Sequence, residues 1–272
     1  MSGCRKITFA VTAACLAGGT LLATSVIAGP DNIGFPEGFE KGVLYATVDR
    51  YDIKQYRELY STPAAVQALR EGRPIPSGTV LTLVQYTAKT DGKGSPVKGP
   101  DGRFVKGDLV AYAVMEKRQG WGSGYPDEWR NGEWEFAAFT KDRQPNQRAN
   151  AGIKNCFVCH KPHEKQDFVI SLARLAGTAP GAASKPKTGP DTVGIAEFLF
   201  GPQKITVKQG QTITWTNADD SPHQVTVQGA VSLRSPVLLK GQSTAITFNY
   251  PGSYDYICGL HPAMRGQVEV TR

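Results

Sequence analysis

The stretch Asn155-Cys156-Phe157-Val158-Cys159-His160-Lys161 constrains this chain more than any other. Cys-x-x-Cys-His is the attachment signature of a c-type haem. Two thiols three residues apart can each form a thioether to one vinyl group of a single porphyrin, and the adjacent imidazole of His160 reaches the iron as proximal ligand. The residues before the motif then read as the pocket for that porphyrin. A redox dithiol or half of a zinc site would use the same thiols, but no second Cys-x-x-Cys exists and no thioredoxin-like strand–helix context precedes this one.

At 272 residues the chain can hold two domains of ordinary size. Residues 1–28 carry Arg5 and Lys6, then an apolar run from Ile7 through Leu21 and Leu22, and end at Val26-Ile27-Ala28. This is the pattern of a cleaved export signal, so the mature protein is expected in the periplasm. An uncleaved anchor is the competing reading. Gly18, Gly19, Thr20 and Ser25 dilute the run, and no later apolar stretch could span a bilayer. Losing Arg5 and Lys6 takes the formal charge from +7 to +5. That mild excess, with no Lys/Arg-rich block, speaks for solubility and weak steering toward acidic partners and against nucleic acid.

The cysteines narrow the chemistry further. Cys4 and Cys15 leave with the signal, Cys156 and Cys159 go to haem, and of the five only Cys258 remains. A disulfide framework is not expected, although the compartment would permit one. Metal ligation gives the unpaired thiol a reason to persist.

Residues 29–176 read as a haem c domain of α+β class. Val43 to Val48 is β-rich, Pro63 to Arg70 is helical and stops at Gly72, and further strands are predicted over Thr79–Thr87, Asp108–Lys117 and Glu133–Thr140. Successive antiparallel strands with a haem motif at the C-terminal end suggest a sheet packed against the porphyrin. Val48-Asp49-Arg50-Tyr51, the strand beginning Pro76-Ser77-Gly78-Thr79-Val80, the strand ending Met115-Glu116-Lys117, Gly132-Glu133-Trp134-Glu135-Phe136, and the haem motif followed by Asp167-Phe168-Val169 together resemble the cytochrome P-460 and cytochrome c′-beta family. The resemblance implies a dimeric β-sheet cytochrome with a five-coordinate haem open to small ligands. Cytochrome P-460 itself oxidises hydroxylamine with a lysine crosslinked to the porphyrin. Here the corresponding strand, Gly78-Thr79-Val80-Leu81-Thr82-Leu83-Val84-Gln85, has no lysine, and the first one later is Lys89. The strand after Gly107-Asp108 is likewise apolar where that enzyme has an acid, so the resemblance is nearer the c′-beta branch.

Residues 177–190, rich in Pro, Gly and Ala, form a tether, and 191–272 an all-β sandwich with alternating pairs Ile205/Val207, Ile213/Trp215, Val225/Val227, Ile246/Phe248 and Val268/Val270. This part holds His223, then Cys258, His261 and Met264. Two imidazoles, a thiolate and a thioether are the ligand set of a type 1, electron-transfer copper site. A structural zinc site would more often be four Cys/His ligands and would not end in methionine. Trp215-Thr216-Asn217 before Pro222-His223, and Tyr254-Asp255-Tyr256 leading into Cys-x-x-His-x-x-Met, resemble the cupredoxins, and amicyanin most closely. Gln224 stands where that family usually has asparagine and Leu260 where proline is common, which puts hydrogen bonding to the thiolate in question.

Ligand accounting completes the reading. Of four histidines, His160 goes to haem and His223 and His261 to copper, leaving His163 as a solvated residue; Met115 is the one methionine left for iron, and its strand position makes it core. The expectation is one covalent haem c and one copper in an exported redox protein that transfers electrons between them and binds a small haem ligand such as nitric oxide. Redox partner proteins and a homodimer through the haem domain are implied. The alternative is a hydroxylamine- or nitric-oxide-converting oxidoreductase, and the sequence names no catalytic residue.

Overall fold

The computed structural model describes residues 32–177, 189–229 and 233–272. The export signal expected over 1–28 and most of the tether expected over 177–190 lie outside them. The first domain has five strands: β1 (Val43–Arg50), β2 (Gln55–Ser61), β3 (Val80–Ala88), β4 (Lys106–Lys117) and β5 (Trp134–Thr140). They form one antiparallel meander in chain order.

Each face of this sheet buries a different partner. Val84, Tyr112, Val114, Ala137 and Phe139 meet the N-terminal segment through Ile33, Phe35 and Phe39, with the Phe35 ring 4.9 Å from Tyr112 and 5.4 Å from Phe139. Leu81, Met115 and Phe136 point the other way, toward Phe157, Phe168, Val169 and Leu175. Helix α1 (Pro63–Arg70) covers that second face with Ala65, Val66 and Ala68; Pro63 opens it where a missing N–H costs nothing. The short α2 (Gln147–Asn150) leads into α3 (Lys154–His160), which carries the haem motif, and α4 (Leu172–Leu175) ends the domain.

Strand β2 was not anticipated. Its side chains are Gln55, Tyr56, Arg57, Glu58, Leu59, Tyr60 and Ser61, polar on both faces, so hydrophobic alternation does not mark it. It forms because β1 and β3 pair with it along both edges, and because its charges find acceptors and donors, such as Lys106 on Glu58 at 2.5 Å.

The second domain is the expected sandwich. Its strands are β6 (Thr192–Ala196), β7 (Leu199–Gly201), β8 (Lys204–Lys208), β9 (Thr212–Asn217), β10 (Val225–Val227), β11 (Leu233–Arg234), β12 (Ser243–Thr247), β13 (Gly252–Cys258) and β14 (Arg265–Thr271). One sheet runs β11-β10-β13-β14-β8 and the other β12-β9-β6-β7. Val193, Ile195, Phe200, Ile213, Trp215, Tyr256 and Val268 fill the space between them. The predicted inward pairs lie on their strands except Phe248, which falls one residue past β12, and the β6–β7 hairpin is an addition to the sequence reading. Val48, on β1 of the first domain, packs against this second core.

Phe157 anchors the haem-motif helix. It is fully buried, with its ring 4.3 Å from Tyr125, 4.7 Å from Phe136 and 5.2 Å from Trp129. Its neighbour Val158 is 47 % exposed. Phe157→Ala should cost about 3–5 kcal/mol in chemical denaturation, and Val158→Ala no more than about 0.5 kcal/mol. Similar losses for the two would mean that the helix is not held through Phe157.

Candidate functional site

On α3, Cys156, Cys159 and His160 are spaced three and four residues apart and share one side of the helix. All three line a cavity of ≈ 390 Å³ whose sheet wall includes Leu81, Leu83, Ala113, Met115 and Phe136. Met115 is therefore both buried core and cavity wall.

The imidazole of His160 is aimed from behind. Its Nδ1–H donates to the carbonyl oxygen of Phe168 at 2.7 Å, which leaves Nε2 free to bind a metal. Asp167 and Phe168 both sit at positive φ, +50° and +60°, where a bulky side chain is uncommon. Lys117 Nζ at 2.7 Å and Trp134 Nε1 at 3.3 Å donate to the Asp167 carboxylate and fix this turn to the sheet. Burial lowers the His160 pKa to about 4, so the ring is neutral, as a metal ligand must be. Burial likewise raises Cys156 and Cys159 to about 11 and keeps them as thiols. An apolar cavity, two convergent thiols and one oriented neutral imidazole suit a c-type haem.

His163 is not solvated, as the sequence reading had it. Beyond α3 the segment Lys161–Gln166 forms short 3-10 turns with a kink at His163 (φ −96°, ψ +25°), and the His163 side chain is 3 % exposed, with burial lowering its pKa.

In the second domain the structure brings together three of the four expected copper-binding residues through their donor atoms. His223 Nδ1 and His261 Nδ1 each lie 3.6 Å from Cys258 Sγ and 3.4 Å from one another. The centre of such a triangle is about 2.0 Å from each corner, close to metal–nitrogen and metal–sulfur bond lengths. Met264 is buried beside them, its amide bonded to the His261 carbonyl at 2.9 Å and its carbonyl accepting from the Cys258 amide at 3.1 Å. Two imidazoles and a thiol with a neighbouring thioether suit copper. Burial alone would raise the Cys258 thiol, but His223 and the Gln224 amide, 3.4 Å from the sulfur, outweigh it and bring it below the usual range. The Gln224 backbone thus serves the thiolate although its side chain differs from the family's asparagine; that side chain instead donates to Ser235 O at 2.8 Å.

Asp219 went unnoticed in the sequence, and it organises this site. Its carboxylate accepts from His223 Nε2 at 2.9 Å, from the Phe198 amide at 2.9 Å and from the Glu197 amide at 2.5 Å. Glu197 and Phe198 form the two-residue β6–β7 turn, both at positive φ, +52° and +59°. The Phe198 ring then lies 5.4 Å from His223 and 4.9 Å from His261. The one sequence clue was an acid four residues before His223.

The two sites meet. His261 and Phe198 line the same cavity as Cys156, Cys159 and His160. The Arg50 guanidinium of β1 stacks on Phe198 at 3.8 Å and is clamped by both oxygens of Asp52. The Tyr51 amide donates to Glu197 O at 3.4 Å, Arg103 reaches Glu197 Oε1 at 3.4 Å, and Arg174 pairs with Asp220 at 2.6 Å. Burial, then the charges of His223 and Arg50, lower His261 to about 3.

Comparison with known proteins matches the two parts of the chain to two different families. The cytochrome P460 family profile matches residues 36–171 and the cupredoxin-like domain profile residues 168–270. Amicyanin-alpha of Methylorubrum extorquens is 36 % identical over 104 residues, 37 % of this chain and 87 % of that protein. The chain belongs to the cytochrome P460 family in its first half and to the cupredoxins in its second. Amicyanin of Paracoccus denitrificans is 37 % identical over 102 residues, 36 % of this chain and 78 % of that one. A mutant amicyanin solved in its reduced Cu(I) form at pH 4 is 36 % identical, covers 34 % of this chain and 92 % of that chain, and has a TM-score of 0.30. Membership implies haem in the P460 domain and type 1 copper in the cupredoxin domain, and redox or electron-transfer chemistry with both. Among the described residues no helix is long and apolar enough to cross a membrane.

Asp219 also sets a pH dependence. Burial would raise its carboxyl, but the bonds from His223, Phe198 and Glu197 outweigh it and hold the folded pKa below the usual value. A depressed carboxylate stabilises fully above its unfolded pKa near ~4 and loses that contribution as pH falls through the folded value. Asp219→Ala should therefore cost the cupredoxin domain about 2–4 kcal/mol at neutral pH in chemical denaturation, with the gap from wild type narrowing below about pH 4. A gap of constant size across that range would remove the carboxylate from this role.

Proposed function

We propose that this chain is an exported electron-transfer protein in which His223, Cys258, His261 and Met264 hold one type 1 copper, and Cys156, Cys159 and His160 hold one covalent haem c. The observation that carries the reading is the shared cavity: the imidazole of His261 stands on the wall that the haem-attachment residues also line. When bound, the two groups supply one-electron redox centres. The chain's own residues do the rest. The Phe168 carbonyl holds His160 with Nε2 forward, Asp219 holds His223 with Nδ1 forward, and the Gln224 amide stabilises the Cys258 thiolate. The Arg50–Phe198 stack and the Arg174–Asp220 pair hold the domains together, so electron exchange does not wait for a diffusional encounter.

The haem is read as five-coordinate and open to a small ligand. Away from Arg57, the sheet lining of the cavity is largely apolar through Leu59, Leu81, Leu83, Ala113 and Met115, and the lining carries no lysine among the described residues. That wall suits a neutral diatomic such as nitric oxide better than hydroxylamine chemistry through a lysine crosslink. The amino-terminal pattern over 1–28 supports a periplasmic location.

Two measurements test this. Cys258→Ser should abolish the intense thiolate-to-copper absorption of the oxidised protein while the haem spectrum stays; a surviving colour would place the site elsewhere. Flash reduction of one centre should give a first-order exchange with the other at a rate independent of protein concentration, and Arg50→Ala, which removes the stack on Phe198, should slow it by roughly tenfold or more. A rate proportional to concentration would mean that each domain serves an outside partner.

A further inference from the structure

Among the described residues, three guanidiniums and one carboxylate line the cavity wall: Arg50, Arg57, Arg174 and Asp220. Two of the guanidiniums are neutralised. Arg50 gives Nε and Nη2 to the two oxygens of Asp52 at 2.8 and 2.6 Å, and Arg174 gives Nε to Asp220 at 2.6 Å. Arg57 has no carboxylate within ion-pair distance among the described residues. Its Nε and Nη2 both reach a single neutral acceptor, Gln55 Oε1, at 3.1 and 2.9 Å, and Nη1 has no acceptor among the described residues.

Strand geometry turns Arg57 into the cavity. It sits opposite Val48 across the β1–β2 ladder, and Arg50 sits opposite Gln55, so all four share one face. Burial and then the neighbouring charge of Arg50 lower its pKa to about 9. The charge of Asp52 offsets part of this, but Asp52 is bonded to Arg50, and a desolvated guanidinium with no carboxylate of its own is costly to keep. The sheet wall beyond it is apolar through Leu59, Leu81, Leu83, Ala113 and Phe136. The cavity is thus apolar along its body and cationic at the end nearest the cupredoxin domain. A porphyrin divides in the same way, with an apolar ring and two propionate carboxylates at one edge.

We propose that Arg57 is a seat for a planar oxyanion, held through Nη1 and the free hydrogen of Nη2, and that the anion is a propionate of the haem. The proposal rests on the haem reading above, and it puts the carboxylate edge of the ring next to Arg50, the residue stacked on Phe198. A soluble anion of the same shape, nitrite, would fit the same donors.

The test uses the holoprotein and its Arg57→Gln and Arg57→Lys variants, with covalent haem content first read from the pyridine haemochrome spectrum. A chain without covalent haem fails at that step and refutes the haem reading, not this one. Resonance Raman spectra of the ferric protein should show the propionate bending mode displaced in Arg57→Gln and partly displaced in Arg57→Lys, while nitrite affinity from optical titration at fixed ionic strength stays unchanged. If nitrite instead binds about tenfold more weakly and the bending mode stays, the seat stands but serves a soluble anion. If neither changes, the proposal is overturned. Should Arg57→Gln not fold, Arg57→Lys carries the same readouts, since a lysine keeps the charge and loses the planar fork.

Discussion

Everything in this protein depends on holding imidazole rings still. A histidine ligand is useful only when one nitrogen is tied and the other is presented, and here each domain solves the problem with the same device. A pair of non-glycine residues is forced to positive φ, Asp167-Phe168 in the haem domain and Glu197-Phe198 in the cupredoxin domain. Such conformations cost of order 1–3 kcal/mol per residue and persist only where the surroundings over-determine them. A carboxylate does so in both cases: Asp167 takes bonds from Lys117 and Trp134, and Asp219 takes bonds from both amides of its turn and from His223 itself. The first turn presents a backbone carbonyl to His160. The second presents an aromatic ring to His223 and His261.

Much of the fold and most of the candidate ligands were legible because chemistry had fixed their spacing. The haem-attachment signature has a set spacing, matched by Cys156-x-x-Cys159-His160, and a short metal-binding loop has another, matched by Cys258-x-x-His261-x-x-Met264. Strands that bury aliphatic side chains on one face, such as β4 and β9, announced themselves by alternation. What could not be read was whatever depends on distant partners. Strand β2 carries Arg57 and Glu58 on opposite faces, and only its two neighbours make it a strand. His163 was misplaced because nothing in Lys161-Pro162-His163 signals the kink at His163 that interrupts the helical turns after α3. Asp219 is an ordinary surface-type residue until the β6–β7 turn folds onto it, and the pairing of Arg50 with Phe198 joins residues from different domains.

The joint between the domains combines ion pairs with a small apolar part. Arg103 and Glu197 meet at its rim, and Asp220 is held by Arg174 and by Lys240 at 2.6 and 2.7 Å. Ion pairs of this kind contribute little individually, and salt weakens them. The Phe198 ring under Arg50 and Val48 against the second core supply the apolar part. The cupredoxin face around His261, which in a free-standing domain would meet solvent, is spent on this joint.

The socket for Phe198 has a property that follows from its position in the chain. Arg50, Tyr51 and Asp52 are consecutive, and the Arg50–Asp52 clamp closes within three residues. Synthesis from the amino terminus therefore completes the receiving side early, and the haem motif at Cys156 follows, before the turn at Glu197 or the loop from Cys258 to Met264 exists. A nascent or prematurely ended chain would already own the haem-attachment residues and the arginines but would lack one wall. The cupredoxin domain is thus the last side of the enclosure to be synthesised.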